Sequence, residues 1–340
     1  MNSKKNESLL TYNTFGIDVR CEELIRYDSV AELQRLVPSL QGRRYLHIGG
    51  GSNLLFLSDF DGVILKSDIV GIDVISESET EVILRAGAAI VWDDFVDFCT
   101  GHGYYGLENL SLIPGEVGAS AVQNIGAYGA EAADRIVNVE LVDLRTGELK
   151  TMLRSDCRYG YRHSIFKEDG VRGCYAVTHV TYRLDRTFKP ALEYGGIRHA
   201  LAEAGLQEDK LTAMQLRQTI IDIRRNKLPD PKVTGNAGSF FMNPVVPRRQ
   251  FEDLLSKYPQ MPHYEADDDN VKIPAGWLID QCGWKGKTLG PAGVHPMQAL
   301  VLVNCGGAAK GADIVALCDA IRNDVQSQFG IAIHPEVNFI

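Results

Sequence analysis

The fold of this chain depends most on residues 113–130, which read IPGEVGASAVQNIGAYGA. Glycine, alanine and serine dominate this segment, so it has few large side chains with which to pack a core of its own. Its glycines allow tight turns and a close approach of the backbone to another group, while Gln123 and Asn124 add side chains that form hydrogen bonds. Two interpretations fit the residues: a backbone cradle for a phosphate-bearing cofactor, or a run of turns between buried strands.

A second glycine-rich segment follows a predicted strand at 45–48. It reads GGGSN, from Gly49 to Asn53, and apolar residues without a helical pattern come after it. Because the G-x-G-x-x-G spacing and the following helix are both missing, a Rossmann dinucleotide site is not expected. Consecutive backbone N–H groups can still face an anion here, and a plain glycine turn is the alternative.

The composition is typical of a globular protein with two or three domains and an ample core, since 45% of the 340 residues are hydrophobic and 23% are charged. The formal net charge of −9 disfavours general binding to nucleic acid or to acidic membranes. No run approaches about 18 apolar residues, so no transmembrane helix is expected. The polar start, MNSKKNESLL, lacks the apolar region of a signal peptide.

Cysteine and histidine are scattered along the chain. The seven cysteines never form C-x-x-C, and the eight histidines never form H-E-x-x-H. This pattern predicts free, mostly buried thiols in a reducing, cytoplasmic environment. It also predicts no metal site.

Residue patterns predict most of the secondary structure. Capping boxes at Ser29–Glu32 and Thr212–Gln215 begin two helices, and Pro38 is expected to end the first of them. The sequence KLPDPK at 227–232 is typical of a linker between domains. Further helices are predicted at 91–99, 197–204, 248–258 and 312–328. Strands are predicted at 45–48, at 63–66, 71–75 and 81–86 in one mixed sheet, in a hairpin at 137–144 and 148–153, and at 175–184 and 299–304.

Six segments, in order along nearly the whole chain, resemble one family, the UDP-N-acetylenolpyruvoylglucosamine reductases. These are flavoenzymes that make UDP-N-acetylmuramate for peptidoglycan. One glycine loop alone is a weak signal, whereas six ordered motifs are specific. The segment around Tyr194 resembles the longer of the family's two versions, which carries a tyrosine lid over the substrate. The segments are GGGSN (49–53), IPGEVGASAVQNIGAYG (113–129), YRHSIFK (161–167), KLPDPKVTGNAGSFFMNP (227–244), AGWLIDQCGWKG (275–286) and HPEV (334–337).

The resemblance implies an α+β fold, with a vanillyl-alcohol-oxidase-like (PCMH-type) FAD-binding domain of two lobes and a C-terminal α+β substrate-binding domain. The lobes are expected at 1–70 and 71–211, and the C-terminal domain at 212–340, with its last strand (331–340) returning to the active site. The cofactors implied are non-covalent FAD and NADPH as co-substrate. The partner implied is a UDP-sugar enolpyruvyl substrate, with no nucleic acid and no membrane insertion, and we expect a monomer.

The implied reaction adds a hydride from reduced FAD to the vinyl carbon of the substrate and a proton to the neighbouring carbon. The resemblance assigns three catalytic residues to it. Arg162 would hold the carboxylate and stabilise the enolate-like charge, and Ser239 would deliver the proton. Glu336 would hold a proton, steer the intermediate or pair with Arg162. From the residues alone, a surface arginine and a turn serine are favoured over catalytic roles. An exposed carboxylate is the alternative for Glu336, although the apolar residues around it predict that this end of the chain is packed.

The resemblance also names binding residues. The two lysines among the substrate contacts suit a diphosphate, although solvated surface lysines would look the same. His163 is expected to be a structural neighbour of Arg162, and Trp277 and Trp284 to be packing aromatics. Substrate contacts are expected at Tyr161, Tyr194, Lys227, Asn243, Lys285 and Gln298. FAD contacts are expected at Ile48, Gly49, Gly50, Gly51, Ser52, Asn53, Leu54, Ile113, Pro114, Gly115, Gly118, Ala119, Ser120, Gln123, Asn124, Gly126, Ala127 and Tyr128.

Two other classes of function remain open at this point. One is an oxidase of a hydroxy acid or sugar on the same FAD fold, against which Ser239 and Glu336 in their motifs argue. The other is a flavin- or nucleotide-binding protein without catalysis. Rapid release of peroxide by the reduced protein, without an enolpyruvyl substrate, would identify an oxidase.

Overall fold

The computed structural model describes residues 2–194 and 196–340, so Gly195 of the predicted Tyr194 segment lies outside the described residues. The chain forms two compact units. Unit 1 comprises the N-terminal residues up to Glu7, Cys21–Gly50 and Asp61–Asn226. Unit 2 comprises Ser8–Arg20, Gly51–Phe60 and Lys227–Ile340. The division into domains at 1–70, 71–211 and 212–340 stays a prediction.

Strands and helices are mixed along the chain. The strands are β1 (Asn2–Ser8), β2 (Arg20–Tyr27), β3 (Tyr45–Ile48), β4 (Leu54–Leu55), β5 (Phe60–Ser67), β6 (Ile72–Glu77), β7 (Glu81–Gly87), β8 (Gly126–Ala127), β9 (Ala130–Glu131), β10 (Ile136–Asp143), β11 (Leu149–Leu153), β12 (Tyr175–Asp185), β13 (Gly235–Asn236), β14 (Val245–Pro247), β15 (Tyr264–Glu265), β16 (Asn270–Lys272), β17 (Thr288–Leu289), β18 (Ala292–Val294), β19 (Leu302–Asn304) and β20 (Asn338–Phe339). The helices are α1 (Val30–Leu40), α2 (Trp92–Gly101), α3 (Val117–Gln123), α4 (Ile197–Glu203), α5 (Ala213–Lys227), α6 (Arg248–Lys257), α7 (Ala275–Gln281) and α8 (Gly311–Phe329).

The first sheet of unit 1 has the strand order β1-β2-β5-β3, with β3 and β5 parallel. Helix α1 packs its buried leucines on this sheet. Its start is as predicted, because the Ser29 hydroxyl accepts a hydrogen bond from the Glu32 N–H at 3.3 Å. The prediction that Pro38 ends the helix is wrong. Pro38 lies in the last turn, and the helix continues to Leu40, which is fully buried.

The second sheet of unit 1 is antiparallel, in the order β11-β10-β12-β7-β6. The predicted hairpin is confirmed as β10 and β11, with Asn138 opposite Leu153. The single mixed sheet is wrong, because β5 pairs with β3 whereas β6 and β7 pair with each other. Helices α2 and α3 pack on this sheet through the core that contains Trp92, Phe95 and Tyr182.

Helices α4 and α5 form a third core in unit 1, around Ile197, Leu201 and Ile220. The capping box that begins α5 is confirmed in both directions. The Thr212 N–H donates to Gln215 Oε1 at 2.9 Å, and the Gln215 N–H donates to the Thr212 hydroxyl at 3.2 Å. Helix α5 therefore starts where the sequence predicts and continues to Lys227.

Unit 2 contains the sheets β13-β19-β18-β17, β14-β16-β15 and β20-β4. Helix α8 packs on β18 and β19 with an apolar face that includes Cys318, Ile321 and Val325. The predicted strand at 299–304 is shorter than expected and is confirmed only as β19. The predicted final strand (331–340) is reduced to β20, which pairs in parallel with β4.

Three further features of the described residues concern membrane spans, cysteines and groups of metal-ligating side chains. In the described residues, no helix combines the length and apolarity that a membrane span needs. All seven cysteines are free thiols, and four of them are buried, as the sequence predicted. Across the same part of the chain, no group of three or more His, Cys, Asp or Glu side chains is placed to hold a metal ion.

Candidate active site

The segment 113–130 combines a short helix with two tight backbone approaches. Just before α3, the Trp92 N–H donates to the Gly115 carbonyl at 3.0 Å, and in its first turn the Gly118 N–H donates to the Ala88 carbonyl at 2.9 Å. Gly118 packs so closely that a Cβ there would lie 2.8 Å from the Ala88 Cβ. This glycine therefore serves the packing of α3, which the sequence could not distinguish from contact with a ligand.

Gly49 and Gly50, which begin the first glycine loop, lie against this segment within unit 1. A Cβ on Gly50 would lie 3.4 Å from the Gly115 Cα, and a Cβ on Gly49 would lie 3.5 Å from the Ala119 Cβ. Two backbones from distant parts of the sequence thus approach each other closely, beside the Glu116 side chain. A protein uses glycine backbone of this kind to approach the phosphates of a nucleotide cofactor, so these residues fit FAD.

Two polar side chains of the segment, those of Ser120 and Gln123, have protein partners. The buried Ser120 hydroxyl contacts the Val117 carbonyl at 2.7 Å and the Tyr182 hydroxyl at 2.8 Å. Gln123 Oε1 accepts from Lys167 Nζ at 3.1 Å. These contacts indicate that the side chains shape the segment, and FAD binding by Ser120 and Gln123 stays a prediction.

Asn124 is fully buried and adopts a left-handed φ of 45° at the end of α3. Its Nδ2 donates to Glu131 Oε2 at 2.7 Å and to the Gly160 carbonyl at 2.8 Å. Its Oδ1 accepts from the Ala133 N–H at 3.0 Å. Asn124 therefore joins the glycine segment to the loop that carries Arg162, and its contact with FAD stays a prediction.

Gly51 to Leu54 belong to unit 2. At Gly51 the φ is +68°, and a Cβ would lie 2.0 Å from the Tyr12 carbonyl oxygen, so only glycine fits. Asn53 Nδ2 donates to the Glu336 carbonyl at 3.2 Å, and the Asn53 carbonyl accepts from the Asn338 N–H at 3.0 Å. Residues of the predicted FAD loop thus contact the segment that carries the predicted catalytic Glu336.

Arg162 lies at the tip of a tight turn between Gly160 and His163, whose backbones exchange two hydrogen bonds. Its φ is 53°, its guanidinium lies 5.3 Å from the Tyr161 ring centre, and its Nη2 donates to the Gly126 carbonyl at 2.6 Å. Lys167 Nζ donates to the Arg162 carbonyl at 2.8 Å. The structure therefore places Arg162 beside the glycine segment.

Arg224 of α5 is a neighbour of Arg162 that the sequence analysis missed. Burial lowers its pKa, and the charge of Arg162 acts in the same direction, whereas Tyr128 is a hydrogen-bond partner that opposes both effects. Tyr128 also makes an edge-to-face contact with Tyr194, with ring centres 6.4 Å apart. Two guanidinium groups and two tyrosines therefore meet in unit 1, which favours an anionic ligand.

Ser239 and Glu336 are brought together within unit 2 by backbone pairing. The Glu336 N–H donates to the Phe240 carbonyl at 2.8 Å, and Phe241 forms an antiparallel bridge with Pro335. Ser239 is exposed, next to the fully buried Phe240. Val337, directly after Glu336, is buried, so this end of the chain is packed.

The remaining predicted substrate residues lie in unit 2 except Tyr161 and Tyr194. Asn243 Oδ1 accepts from the Ala275 N–H at 2.9 Å, at the start of α7. Gln298 Oε1 accepts from the Leu300 N–H at 3.3 Å. Lys285 Nζ lies 3.6 Å from Asp280 Oδ2, and Lys227 is exposed at the end of α5.

The structural roles of Trp277 and His163 match expectation. Trp277 packs with Tyr258 and Phe329 at ring separations of 5.7 Å and 5.8 Å. Trp284 Nε1 donates to Asp324 Oδ2 at 2.9 Å. His163 Nδ1 contacts the Arg158 carbonyl at 3.1 Å, so this ring supports the turn of Arg162.

Comparison with known proteins gives a consistent result. Residues 230–340 match the family described as "UDP-N-acetylenolpyruvoylglucosamine reductase, C-terminal domain", and residues 22–152 match "FAD binding domain". The chain is 57% identical over 336 residues to the UDP-N-acetylenolpyruvoylglucosamine reductase of Bacteroides fragilis, with 98% of each chain covered. The chain belongs to the UDP-N-acetylenolpyruvoylglucosamine reductase family.

Two further proteins with that name extend the match. The Porphyromonas gingivalis reductase is 47% identical over 344 residues, covering 100% of both chains. The crystal structure of the Thermus caldophilus reductase superimposes with a TM-score of 0.68 at 22% identity, covering 99% of this chain and 98% of that one, so it supports the fold. The predicted family, the α+β fold with an FAD-binding domain, the oxidoreductase class, and FAD and NADPH as cofactors are confirmed.

Proposed function

We propose that this reductase converts the enolpyruvyl group of its UDP-sugar to UDP-N-acetylmuramate through Arg162, Ser239 and Glu336. The observation that carries the proposal is the hydrogen bond between the Glu336 N–H and the Phe240 carbonyl at 2.8 Å. It places the predicted acid and the predicted carboxylate on paired backbones of one compact unit. This arrangement supports a role for Ser239 and Glu336 at the same substrate atom or at its immediate neighbour.

FAD, held by the backbones of the two glycine segments, supplies the hydride when bound. The protein must then stabilise negative charge that moves into the substrate carboxylate. Arg162 suits this task because its guanidinium is permanently charged and its backbone is fixed by Lys167. Arg224 adds a second positive charge nearby. Together they favour the enolate-like state, which carries more negative charge than the ground-state carboxylate.

Ser239 then delivers the proton from its hydroxyl to the substrate carbon. A serine is a weak acid in water, but a carbanion-like carbon is a strong base, so the transfer is feasible once the two are aligned. Glu336 positions the reacting group or holds a proton close to it. The backbone contacts of Glu336 with Phe240 and Asn53 keep its main chain in one place.

The predicted substrate contacts divide by chemistry. Lys227 and Lys285 carry positive charge for the diphosphate, and Tyr161 and Tyr194 supply rings and hydroxyls. The Asn243 and Gln298 side chains are oriented by backbone N–H groups, which supports a role in recognising polar sugar or uridine groups. Tyr194 packs against Tyr128 and next to Gly129, where a Cβ would lie 3.4 Å from the Tyr194 Cβ.

The test separates the two half-reactions in stopped-flow absorbance. Ser239→Ala should keep FAD and its reduction by NADPH, and should slow reoxidation by the enolpyruvyl substrate by about 10²–10⁴-fold. Arg162→Ala should slow the same half-reaction by about 10²–10³-fold, as loss of charge stabilisation does elsewhere. Ser256→Ala, at an exposed serine of α6, is the matched control.

One pattern of rates would contradict the assignment of Ser239 as the proton donor. In it, Ser239→Ala slows the reduction of FAD by NADPH but leaves reoxidation by the enolpyruvyl substrate at the wild-type rate. For Arg162→Ala, unchanged turnover would remove this residue from the site. An effect of Ser256→Ala equal to that of Ser239→Ala would show that the loss is not specific to the site.

Two further properties belong to the proposal. A cytoplasmic location is supported by the seven free cysteines, because a reducing compartment keeps thiols free. Light scattering of the FAD-loaded protein tests the proposed monomer, which predicts a mass near 37.5 kDa. A dimer mass would contradict it.

A further inference from the structure

A partly buried ion pair connects β5 to the second glycine segment of unit 1. Lys66 Nζ lies 2.5 Å from Glu116 Oε1, and each side chain is only 12% exposed. Lys66 is on β5, directly opposite Ile48, the residue before Gly49. Glu116 is part of the second glycine segment and follows Gly115.

The Glu116 side chain also contacts the first glycine loop. A Cβ on Gly49 would lie 3.3 Å from Glu116 Oε2, and a Cβ on Gly50 would lie 3.8 Å from the Glu116 Cγ. The backbone of Glu116 is fixed separately, through a bridge with Val91. Glu116 thus joins a segment anchored beside α2 to a loop at the end of β3.

Burial makes this pair a poor source of stability. Burial raises the pKa of Glu116, whereas the charge and hydrogen bond of Lys66 lower it, with smaller effects from Asp68 and Arg26. Buried ion pairs are often no more stabilising than apolar pairs of similar size, and a role in fixing geometry is a hypothesis to be tested in each protein. Here the geometry is the spacing between two backbones that bind one cofactor.

We propose that the Lys66–Glu116 ion pair sets the spacing of the two glycine segments and thereby determines the affinity for FAD. Both residues act as positioning residues and need no contact with the cofactor. The proposal rests on FAD binding by these segments. An alternative is direct contact between Lys66 and a phosphate of FAD, with Glu116 only orienting the lysine.

The experiment measures the Kd of FAD for the apoprotein by quenching of flavin fluorescence. Glu116→Gln and Lys66→Met should each raise the Kd about tenfold or more. The exchange Lys66→Glu/Glu116→Lys rebuilds the pair with opposite polarity and should recover most of the affinity. The double variant Lys66→Met/Glu116→Gln should be weakened less than the product of the single effects, since the two sites are coupled.

A matched control comes from the same unit. Arg85 forms a two-point ion pair with Glu140, at 2.6 Å and 2.8 Å, between β7 and β10. Glu140→Gln should leave the Kd of FAD within about twofold of wild type. Circular dichroism of each apoprotein checks folding, and Glu116→Asp, which keeps the charge on a shorter side chain, should bind FAD with intermediate affinity.

Two results would overturn the proposal. One is wild-type FAD affinity in a folded Glu116→Gln or Lys66→Met protein. The other is an exchanged pair as weak as Lys66→Met alone, which would show that the lysine touches the phosphate itself. Failure of the wild-type protein to bind FAD would instead contradict the function proposed above.

Discussion

Gly118→Ala perturbs the closest packing contact of the 113–130 segment. The new methyl carbon would lie 2.8 Å from the Ala88 Cβ and 3.3 Å from the Ala88 carbonyl oxygen. Carbon atoms in favourable contact are about 3.5–4.0 Å apart, so α3 must move by about 0.7 Å or more. The movement would reach Gly115 and Ala119, which contact the first glycine loop.

The expected cost follows from this overlap. Overpacking of a well-packed contact costs about 1–3 kcal/mol, which exceeds the gain of up to about 1 kcal/mol when alanine replaces glycine in a helix. If about 1.4 kcal/mol of the cost appears in cofactor binding, the Kd of FAD rises tenfold. We therefore expect both a lower thermal midpoint and weaker FAD binding.

Gly101→Ala provides a matched control. Gly101 ends α2 in the same unit, and a Cβ there would meet no atom within 4 Å. This variant should be as stable as wild type or slightly more stable, with unchanged FAD affinity. Thermal unfolding with and without FAD, together with flavin titration of the apoproteins, measures both quantities. A Gly118→Ala protein that matches Gly101→Ala in both would refute the packing argument.

Two further predictions concern buried charge. Asp93→Asn weakens an ion pair with the buried Arg217 at 3.1 Å, so this variant should lower the free energy of unfolding by about 1–3 kcal/mol. Asp94→Asn, at the exposed neighbouring residue, should change the free energy of unfolding little. Equal effects of the two variants would contradict the role of the Asp93–Arg217 ion pair. Burial, and then the charge of Lys66, lower the pKa of His47 to about 4. The neutral ring therefore contributes fully to the free energy of unfolding above about pH 6.5. This contribution is lost as the pH falls toward 4, by up to about 3 kcal/mol. Denaturation at pH 7 and pH 4.5 should show a larger loss in wild type than in His47→Gln, and equal losses would exclude the mechanism.

Local patterns predicted many elements because their determinants lie close together in sequence. Thr212 and Gln215 form their capping box within one turn, and residues 145–147 connect a hairpin whose strands are adjacent. The end of α1 was missed because the packing of Leu40 on a sheet outweighs the effect of Pro38. That competition depends on distant residues, which a local pattern does not contain.

The candidate site shows the same difference between local patterns and distant contacts. Motif order was enough to propose Arg162, Ser239 and Glu336, but their supports come from elsewhere in the chain. Arg224 resembles any charged residue on a helix until α5 is placed beside Tyr128. Lys66 follows the apolar run Val63–Leu65 in β5 and gives no sign in the sequence that it meets Glu116.

Anaerobic titration of the flavin absorbance tests the proposed reaction most directly. NADPH should bleach the absorbance of the FAD-loaded protein, and the UDP-linked enolpyruvyl sugar should restore it without oxygen, with one substrate reduced per flavin reoxidised. The account is contradicted if the reduced flavin stays bleached with the substrate and recovers only when oxygen is admitted, with release of peroxide.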